Sequence, residues 1–135
     1  MSKDCIFCKI AAGEIPSHKI YEDDYVLAFL DIHPCSTGHA VVIPKKHFES
    51  IEEIDSENLA FLNDGARRTA KKVYSVLKPD GMNIGLNDKP AAGQAVPHIH
   101  LHIIPRWKGD GGGSMHSIVR AEATEPAEEI IKKFV

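Results

Sequence analysis

The sequence of 135 residues predicts an α+β fold with an antiparallel sheet of about five strands. Two observations lead to this prediction. Strand-like segments stand on both sides of one long helical segment, rather than alternating with helices. In addition, residues 98–105 alternate histidine with aliphatic residues at the period of a β-strand. The length suits one compact domain, and we expect a single domain over residues 1–135.

The first half of the chain is predicted to hold a short helix or turn and three strands. Residues 5–10 form the helix or turn, which ends near Gly13, and Ile15-Pro16 breaks the chain after it. The strands are expected at residues 19–22, 25–31 and 39–44. The second of them is predicted to be buried, because its apolar run is nearly continuous.

The long helix follows, with Asp55 or Ser56 as its N-cap. Its apolar residues recur at helical spacing: Leu59, Leu62, Ala66, Ala70, Val73 and Leu77. Its basic residues are expected to lie on a solvated face: Arg67, Arg68, Lys71 and Lys72. Pro79-Asp80-Gly81 is expected to end the helix.

Beyond the helix the sequence predicts two more strands and a mixed tail. The fourth strand is expected at residues 82–87 and the fifth at residues 98–105, joined by a loop rich in Gly, Ala and Pro. A glycine loop over residues 109–113, a weak strand near residues 117–119 and a last helix from about Pro126 complete the prediction.

Composition excludes several functional classes. The hydrophobic fraction of 43% is normal for a domain with a real core, and the net charge of −3 provides no basic field for nucleic acid. No apolar run reaches the length of a membrane span. Because the chain starts without a signal-peptide core and has three cysteines, an odd number, we expect a cytoplasmic protein, or also a nuclear one in a eukaryote.

The alternating run is the strongest functional signal. In a strand, His98, His100 and His102 would share one face, with neighbouring rings about 6.6 Å apart. Neutral imidazole is a nucleophile, a base or a metal ligand near neutral pH. A His-X-His pair can bind catalytic zinc with a third histidine. Alternatively, the middle ring can attack an electrophile while its neighbours manage protons. The spacing alone does not choose between these two chemistries.

The sequence around this run resembles the histidine triad (HIT) superfamily, and within it the HINT-like branch of nucleoside phosphoramidases. The resemblance runs from Cys5 to about Arg106 and leaves residues 107–135 as a variable C-terminal tail. The matching blocks are Cys5-Ile-Phe-Cys-Lys-Ile10, Gly13-Glu-Ile-Pro16, Ala28-Phe-Leu-Asp31, Gly38 to His47, Asn87, Gly93-Gln94 and His98 to Arg106. The resemblance implies a HIT-like fold that forms a homodimer.

The family transfers a nucleotidyl group in two steps. The resemblance implies that His100 attacks the α-phosphorus and that His102 contacts the phosphate and helps to protonate the leaving group. His39 would complete the hydrogen-bonded group, and His98 would support the nucleophile. The implied reaction is hydrolysis of purine nucleoside phosphoramidates. The alternatives are dinucleoside polyphosphate hydrolysis, a zinc-dependent hydrolase and a non-catalytic nucleotide-binding regulator.

The resemblance also implies the nucleotide contacts. Asp31 would bind the ribose hydroxyls, Ile32 would pack on the base, and Asn87 would hold phosphate or the ribose edge. The phosphate oxygens would be met by Gly93, Gln94 and Ala95. The chain departs from a common pattern of the branch, because Ala95 stands where serine is frequent and Pro97 where an aromatic residue is frequent.

Zinc-containing members of the family place a metal on two cysteines and two histidines, which match Cys5, Cys8, His47 and His98 here. Such a closed site is structural and would remove His98 from the acid–base group. Two buried reduced thiols or a redox pair are the alternatives for the cysteines. Cys35 is interpreted as a lone loop thiol. Trp107 and the glycine loop are interpreted as a flexible exit loop, with the mouth of the pocket or a partner's surface as alternatives.

Overall fold

The computed structural model describes residues 4–135 and confirms the α+β prediction. A five-stranded antiparallel sheet runs in the order β1-β2-β3-β5-β4. The helices are α1 (Ile6–Ala11), α2 (Ser56–Leu77) and α3 (Ala127–Ile130), and the strands are β1 (Lys19–Glu22), β2 (Val26–Leu30), β3 (Ala40–Pro44), β4 (Gly81–Gly85) and β5 (Leu101–Arg106). Short 3-10 turns cover Pro90–Ala92, Met115–Ser117 and Ile131–Phe134.

The long helix α2 has the predicted extent. Asp55 has an extended backbone at the N-cap and accepts a hydrogen bond from the Asn58 side chain at 2.8 Å. The helix ends at Leu77 and is capped by Lys78, which adopts the left-handed conformation. Gly65 lets the helix approach the sheet closely, because a Cβ at this position would lie 2.6 Å from Val26 Cγ2.

A separate hydrophobic core lies against each face of the sheet. The core on the helix side contains Val26, Ala28, Ala40, Val42, Leu62, Ala66, Ile99, Leu101 and Ile103. The core on the opposite side contains Cys5, Phe7, Cys8, Ile10, Leu27, Phe29, Val41 and Ile43. Alternation along β2 and β3 supplies both cores, which explains their continuous apolar runs. The second core brings α1 onto the face of the sheet opposite α2.

The predicted histidine strand is partly wrong. β5 begins only at Leu101, because two carbonyls outside the sheet take the preceding backbone donors: His98 N–H donates to Val96 O at 2.8 Å and Ile99 N–H to Phe48 O at 2.7 Å. Pro105 lies within β5, opposite Met82, rather than at its boundary. The predicted separation of faces is nevertheless present, since Ile99, Leu101 and Ile103 all lie in the core on the helix side.

The C-terminal tail contradicts one prediction. Instead of a strand near residues 117–119, a 3-10 turn occupies Met115–Ser117. Ser114 caps this turn, and Ser117 Oγ donates to Ser114 O at 2.6 Å, so local hydrogen bonds satisfy the segment. The last helix begins after Pro126, as predicted. No helix among residues 4–135 is both long and apolar enough to cross a membrane.

Candidate active site

Two histidines from neighbouring strands form a directed hydrogen-bond chain. His39, which precedes β3, and His102, in β5, have Nε2 and Nδ1 2.9 Å apart. The backbone N–H of Cys35 donates to His39 Nδ1 at 3.1 Å. Because a backbone N–H can only donate, His39 Nδ1 is an acceptor and its proton lies on Nε2. His39 Nε2–H therefore donates to His102 Nδ1, and the proton of neutral His102 lies on Nε2.

His100 has the opposite arrangement. Its Nδ1–H donates to the carbonyl oxygen of His98 at 2.7 Å, so its Nε2 carries the lone pair. The ring is 5.0 Å from that of His102 between centroids, and Phe7 packs edge-on against it, also at 5.0 Å. His100 is buried, with 5% of its surface exposed. The site thus holds a free imidazole nitrogen beside an imidazole N–H donor.

Burial keeps these rings neutral. It lowers the pKa of His102 to about 4, helped by the neighbouring His100 and His39 rings. It also lowers the pKa of His100 and His39, against a smaller opposing effect of the Asp31 carboxylate. Neutral imidazole is the form that can attack phosphorus. Burial therefore favours the reactive form of His100.

A second cluster, the cysteine–histidine cluster, gathers Cys5, Cys8, His47 and His98. Cys5 Sγ and Cys8 Sγ lie 3.4 and 3.5 Å from His98 Nδ1. His47 Nδ1 lies 3.2 Å from Cys8 Sγ and 3.1 Å from His98 Nδ1. Cys5 caps α1, so the first turn of this helix brings both thiols to one point. All four ligand atoms lie within 4.8 Å of one another.

This cluster fits zinc. A tetrahedral zinc with bonds of about 2.0–2.3 Å separates its donor atoms by roughly 3.3–3.8 Å, close to the observed distances. His98 Nε2–H donates to Pro44 O at 2.8 Å, which leaves the Nδ1 lone pair directed at the cluster. Burial lowers the pKa of His98 to about 4, so its ring is neutral, as a metal ligand must be. Two cysteine sulfurs and two imidazole nitrogens are the donor set of a closed structural site.

In a third group, the possible ligand atoms of Asp31, His39 and His102 also lie within 4.8 Å of one another. This group differs from the cysteine–histidine cluster in the tautomer of its histidine. His39 Nε2 could bind a metal only if the ring proton moved to Nδ1. There it would face the N–H of Cys35, which donates to that same atom. Asp31 Oδ2 stands 3.6 Å from His39 Nε2 and completes an electrostatic chain rather than a metal site.

A cavity of about 290 Å³ opens beside the His39–His102 pair. Of the residues predicted for the site, His39, His102 and Asn87 line it. Asp31 lies behind His39, and Ile32 is 78% exposed at the start of the next loop. A larger cavity of about 540 Å³ shares Cys35, Asn83, Ile104, Met115 and Ile118 with the first and includes Trp107 and Arg106.

The loop predicted to hold phosphate has its own hydrogen bonds. Gly93 N–H donates to Pro90 O and Gln94 N–H to Lys89 O. The Gln94 amide donates to Glu49 O and Val96 O and accepts from Lys89 N–H. Within the described chain, Ala95 N–H has no hydrogen-bond acceptor. Asn87 lies next to this loop, since a Cβ on Gly93 would be 3.7 Å from Asn87 Nδ2.

The sequence predicts a backbone carbonyl that holds the second N–H of His100, and His98 O takes this place. Sequence reasoning missed the backbone groups around the other rings. The N–H of Cys35 and the carbonyls of Pro44 and Phe48 carry no side-chain signal. It also missed Met115 and Ile118, which bring the variable tail to the wall of both cavities. For Pro44, the available hint was its place at the end of an apolar strand, before two lysines and His47.

Comparison with known proteins gives a consistent result. The HIT domain family model matches residues 12–109. A HIT-like protein of Methanocaldococcus jannaschii is 50% identical over 79% of this chain and 82% of its own length. The adenylylsulfatase HINT3 of Arabidopsis thaliana is 39% identical over 82% of this chain and 56% of its own length.

Solved structures agree with the fold. A HIT family protein from Bacillus subtilis has a TM-score of 0.84 at 41% identity and covers 98% of this chain and 93% of its own. A zinc-bound histidine triad family protein from Mycobacterium smegmatis has a TM-score of 0.76 at 37% identity, with coverage of 90% and 84%. A HIT family hydrolase from Legionella pneumophila has a TM-score of 0.66 at 40% identity, with coverage of 75% and 91%.

Proposed function

Because this chain belongs to the HIT domain family, we propose that it is a hydrolase of nucleoside phosphoramidates that acts through a nucleotidyl-histidine intermediate. The placement of the ring protons carries the proposal. His100 Nε2 is a free lone pair and His102 Nε2 is an N–H donor. Hydrolysis at a nucleotidyl group is also the activity that the name adenylylsulfatase gives to the Arabidopsis relative.

In the first step His100 Nε2 attacks the α-phosphorus, and the bond from phosphorus to the leaving nitrogen breaks. With the anionic phosphate bound, the His39–His102 pair carries one added proton, and His102 Nε2 gives a proton to that nitrogen, since an amine leaves poorly as an anion. The pair returns to its neutral state as the cationic adenylyl-imidazolium forms on His100. In the second step water attacks phosphorus, returns a proton to His102 and frees His100.

For the nucleotide contacts we propose the residues that the family resemblance implies. We assign Asp31 to the ribose hydroxyls and the exposed Ile32 to the base. Asn87 and the N–H of Ala95 are assigned to the phosphate, while Gly93 and Gln94 shape the loop that presents them. His39 is a positioning residue that fixes the ring of His102.

The cysteine–histidine cluster is proposed to hold zinc on Cys5, Cys8, His47 and His98. The metal would supply a structural crosslink between α1 and the segment before β5. The fit of the donor atoms and the zinc-bound relative support this assignment. Four protein ligands fill a tetrahedral site and leave no position for a catalytic water. This argues against the zinc-dependent hydrolase considered from the sequence.

The charges that line the two cavities favour an amine leaving group over a polyphosphate. Arg106 is the one cation among the described residues that line the two cavities. Its Nε and Nη2 bind both oxygens of Asp110 at 2.7 and 2.8 Å. A polyphosphate leaving group would therefore meet no unpaired cation there. We propose phosphoramidates ahead of dinucleoside polyphosphates and ahead of a regulator without turnover. The homodimer and the cytoplasmic location remain expectations.

The test compares adenosine 5′-phosphoramidate with a dinucleoside polyphosphate and with adenylyl sulfate. We expect the phosphoramidate to give the largest kcat/KM. His100→Ala should abolish nearly all turnover of each substrate, by about 10³-fold or more, and keep AMP binding within a few-fold. Full turnover in His100→Ala would contradict the assignment of His100 as the nucleophile. AMP binding without turnover of any substrate by the wild type would favour the regulator.

A further inference from the structure

The cysteine–histidine cluster and the nucleophile are joined by a single peptide group. The carbonyl of His98 accepts the Nδ1 proton of His100 at 2.7 Å. The ring of the same residue belongs to the cluster, where its Nδ1 faces two thiols and His47. One residue therefore supplies a ligand atom to the first site and a hydrogen-bond acceptor to the second.

The ring of His98 is fixed on all sides. It has no exposed surface, its Nε2–H donates to Pro44 O at 2.8 Å, and Phe7 packs edge-on against it at 6.0 Å. Phe7 also packs against His100, so one phenyl ring lies against both imidazoles. Movement of the His98 ring would therefore disturb the contacts of the nucleophile directly.

The other side of the same peptide group is tied to the cluster as well. Ile99 N–H, which shares the peptide plane with the His98 carbonyl, donates to Phe48 O at 2.7 Å. Phe48 follows His47, a member of the cluster. The hydrogen bond from Ile99 N–H to Phe48 O therefore joins the segment that contains His47 to the segment that contains His98. This bond sets the tilt of the peptide, and a cluster residue lies directly before it on each segment.

We propose that the cysteine–histidine cluster is a positioning device for the nucleophile, in which metal binding to His47 and His98 fixes the peptide that holds the Nδ1 proton of His100. Without a metal, the contacts that join the four side chains include weak S–H···N and N···H–N hydrogen bonds. The two segments can then shift, the His98 carbonyl turns away, and His100 loses the bond that keeps its Nε2 unprotonated. Metal loading then controls the chemical step while nucleotide binding, at Asp31 and Asn87, is unchanged.

This inference rests on the proposed role of His100 and extends it. It differs from a purely structural metal site in its expected readout. A structural site changes stability alone. A positioning site changes the location of the proton on His100 and the rate of adduct formation in a protein that is still folded.

The experiment prepares the protein with zinc, without metal and with cadmium, and uses adenosine 5′-phosphoramidate as substrate. At a temperature well below unfolding, we expect metal-free protein to form the His100 adduct about tenfold more slowly, or slower still, the effect of one lost hydrogen bond. AMP affinity should stay within about twofold, given that no nucleotide contact is altered. The ¹⁵N shifts of His100 should move from the Nδ1–H pattern toward a mixture.

Two controls keep the result decisive. Val73→Ala, in the buried face of α2, lowers stability without touching either site and should leave adduct formation unchanged. Cadmium, a larger cation, keeps the cluster filled if metal-free protein does not fold, and it should shift the His100 resonances along with those of His98.

Identical His100 shifts in the zinc and cadmium forms, or an unchanged adduct rate in folded metal-free protein, would overturn the inference. The proposed function fails separately, if zinc-loaded His100→Ala turns over normally.

Discussion

Two clusters of side chains on the same face of the sheet contain paired histidines, yet their chemistry differs. In the cysteine–histidine cluster, His98 Nε2–H donates to the Pro44 carbonyl, and His98 Nδ1 presents a lone pair to the cluster. In the His39–His102 pair, His39 Nδ1 accepts from Cys35 N–H, and His39 Nε2 presents a proton to His102. The backbone group on the far side of each ring thus decides whether the cluster suits a metal or a proton relay.

The largest expected effect comes from removing the end of the proton relay. His102→Ala should lower kcat/KM for adenosine 5′-phosphoramidate by about 10²–10⁴-fold, because the leaving amine loses its acid. The loss should be much smaller for a nucleotide ester with a good leaving group such as p-nitrophenolate, which departs without a proton. Equal losses for both substrates would show that His102 acts on the phosphate and not on the leaving group.

Removing the metal tests the other cluster. Chelation, or Cys8→Ser, should lower the free energy of unfolding by about 3 kcal/mol relative to protein with zinc at a hundred times its dissociation constant. Cys35→Ser is the matched control, since this thiol lies outside the cluster and should keep one zinc per chain. Metal analysis and thermal unfolding measure both effects. Zinc retained by Cys8→Ser would argue against the assigned ligands.

The pH dependence should distinguish buried neutral rings from ordinary histidines. The pKa of His102 is lowered to about 4 and those of His39 and His100 are lowered as well. Their neutral forms are therefore favoured by folding, and the associated stability is present above the unfolded pKa of about 6.5 and lost as pH falls toward 4. In excess zinc, kcat/KM should therefore have an acid limb whose midpoint lies below pH 6.5. A midpoint near 6.5 would indicate solvent-exposed rings.

The smallest expected effect concerns the outer contact of His47. Glu49 Oε1 lies 3.9 Å from His47 Nε2, and the carboxylate is largely exposed. Glu49→Gln should therefore weaken zinc binding by only about threefold, below the usual range for an outer-shell partner. Competition with a chromogenic chelator measures this change. A loss of a hundredfold would mean that Glu49 orients His47 as firmly as Pro44 O orients His98.

The side-chain pattern of the sequence predicted much of this arrangement. Period-two alternation placed His98, His100 and His102 opposite the aliphatic residues, and the long helix has the predicted extent. The pattern could not show that the strand begins at Leu101. The reason is that Val96 and Phe48, remote from any periodic signal, supply the carbonyls that take the preceding N–H groups.

The orientation of the His39 and His98 rings was beyond the sequence for the same reason, whereas the backbone carbonyl that holds His100 Nδ1–H was expected. Cys35 was interpreted as a lone loop thiol, and its side chain is indeed exposed. Its backbone N–H nevertheless sets the tautomer of His39. The tail was misread near residues 117–119 because Ser114 and Ser117 satisfy the backbone locally, which a short β-prone run does not reveal.

The two clusters differ in where their imidazole rings carry protons, and ¹⁵N NMR of the zinc-loaded protein measures these positions. We expect a proton on Nδ1 of His100, on Nε2 of His39 and His102, and on Nε2 of a metal-bound His98. A proton on Nδ1 of His39, or on Nε2 of His100, would contradict this expectation.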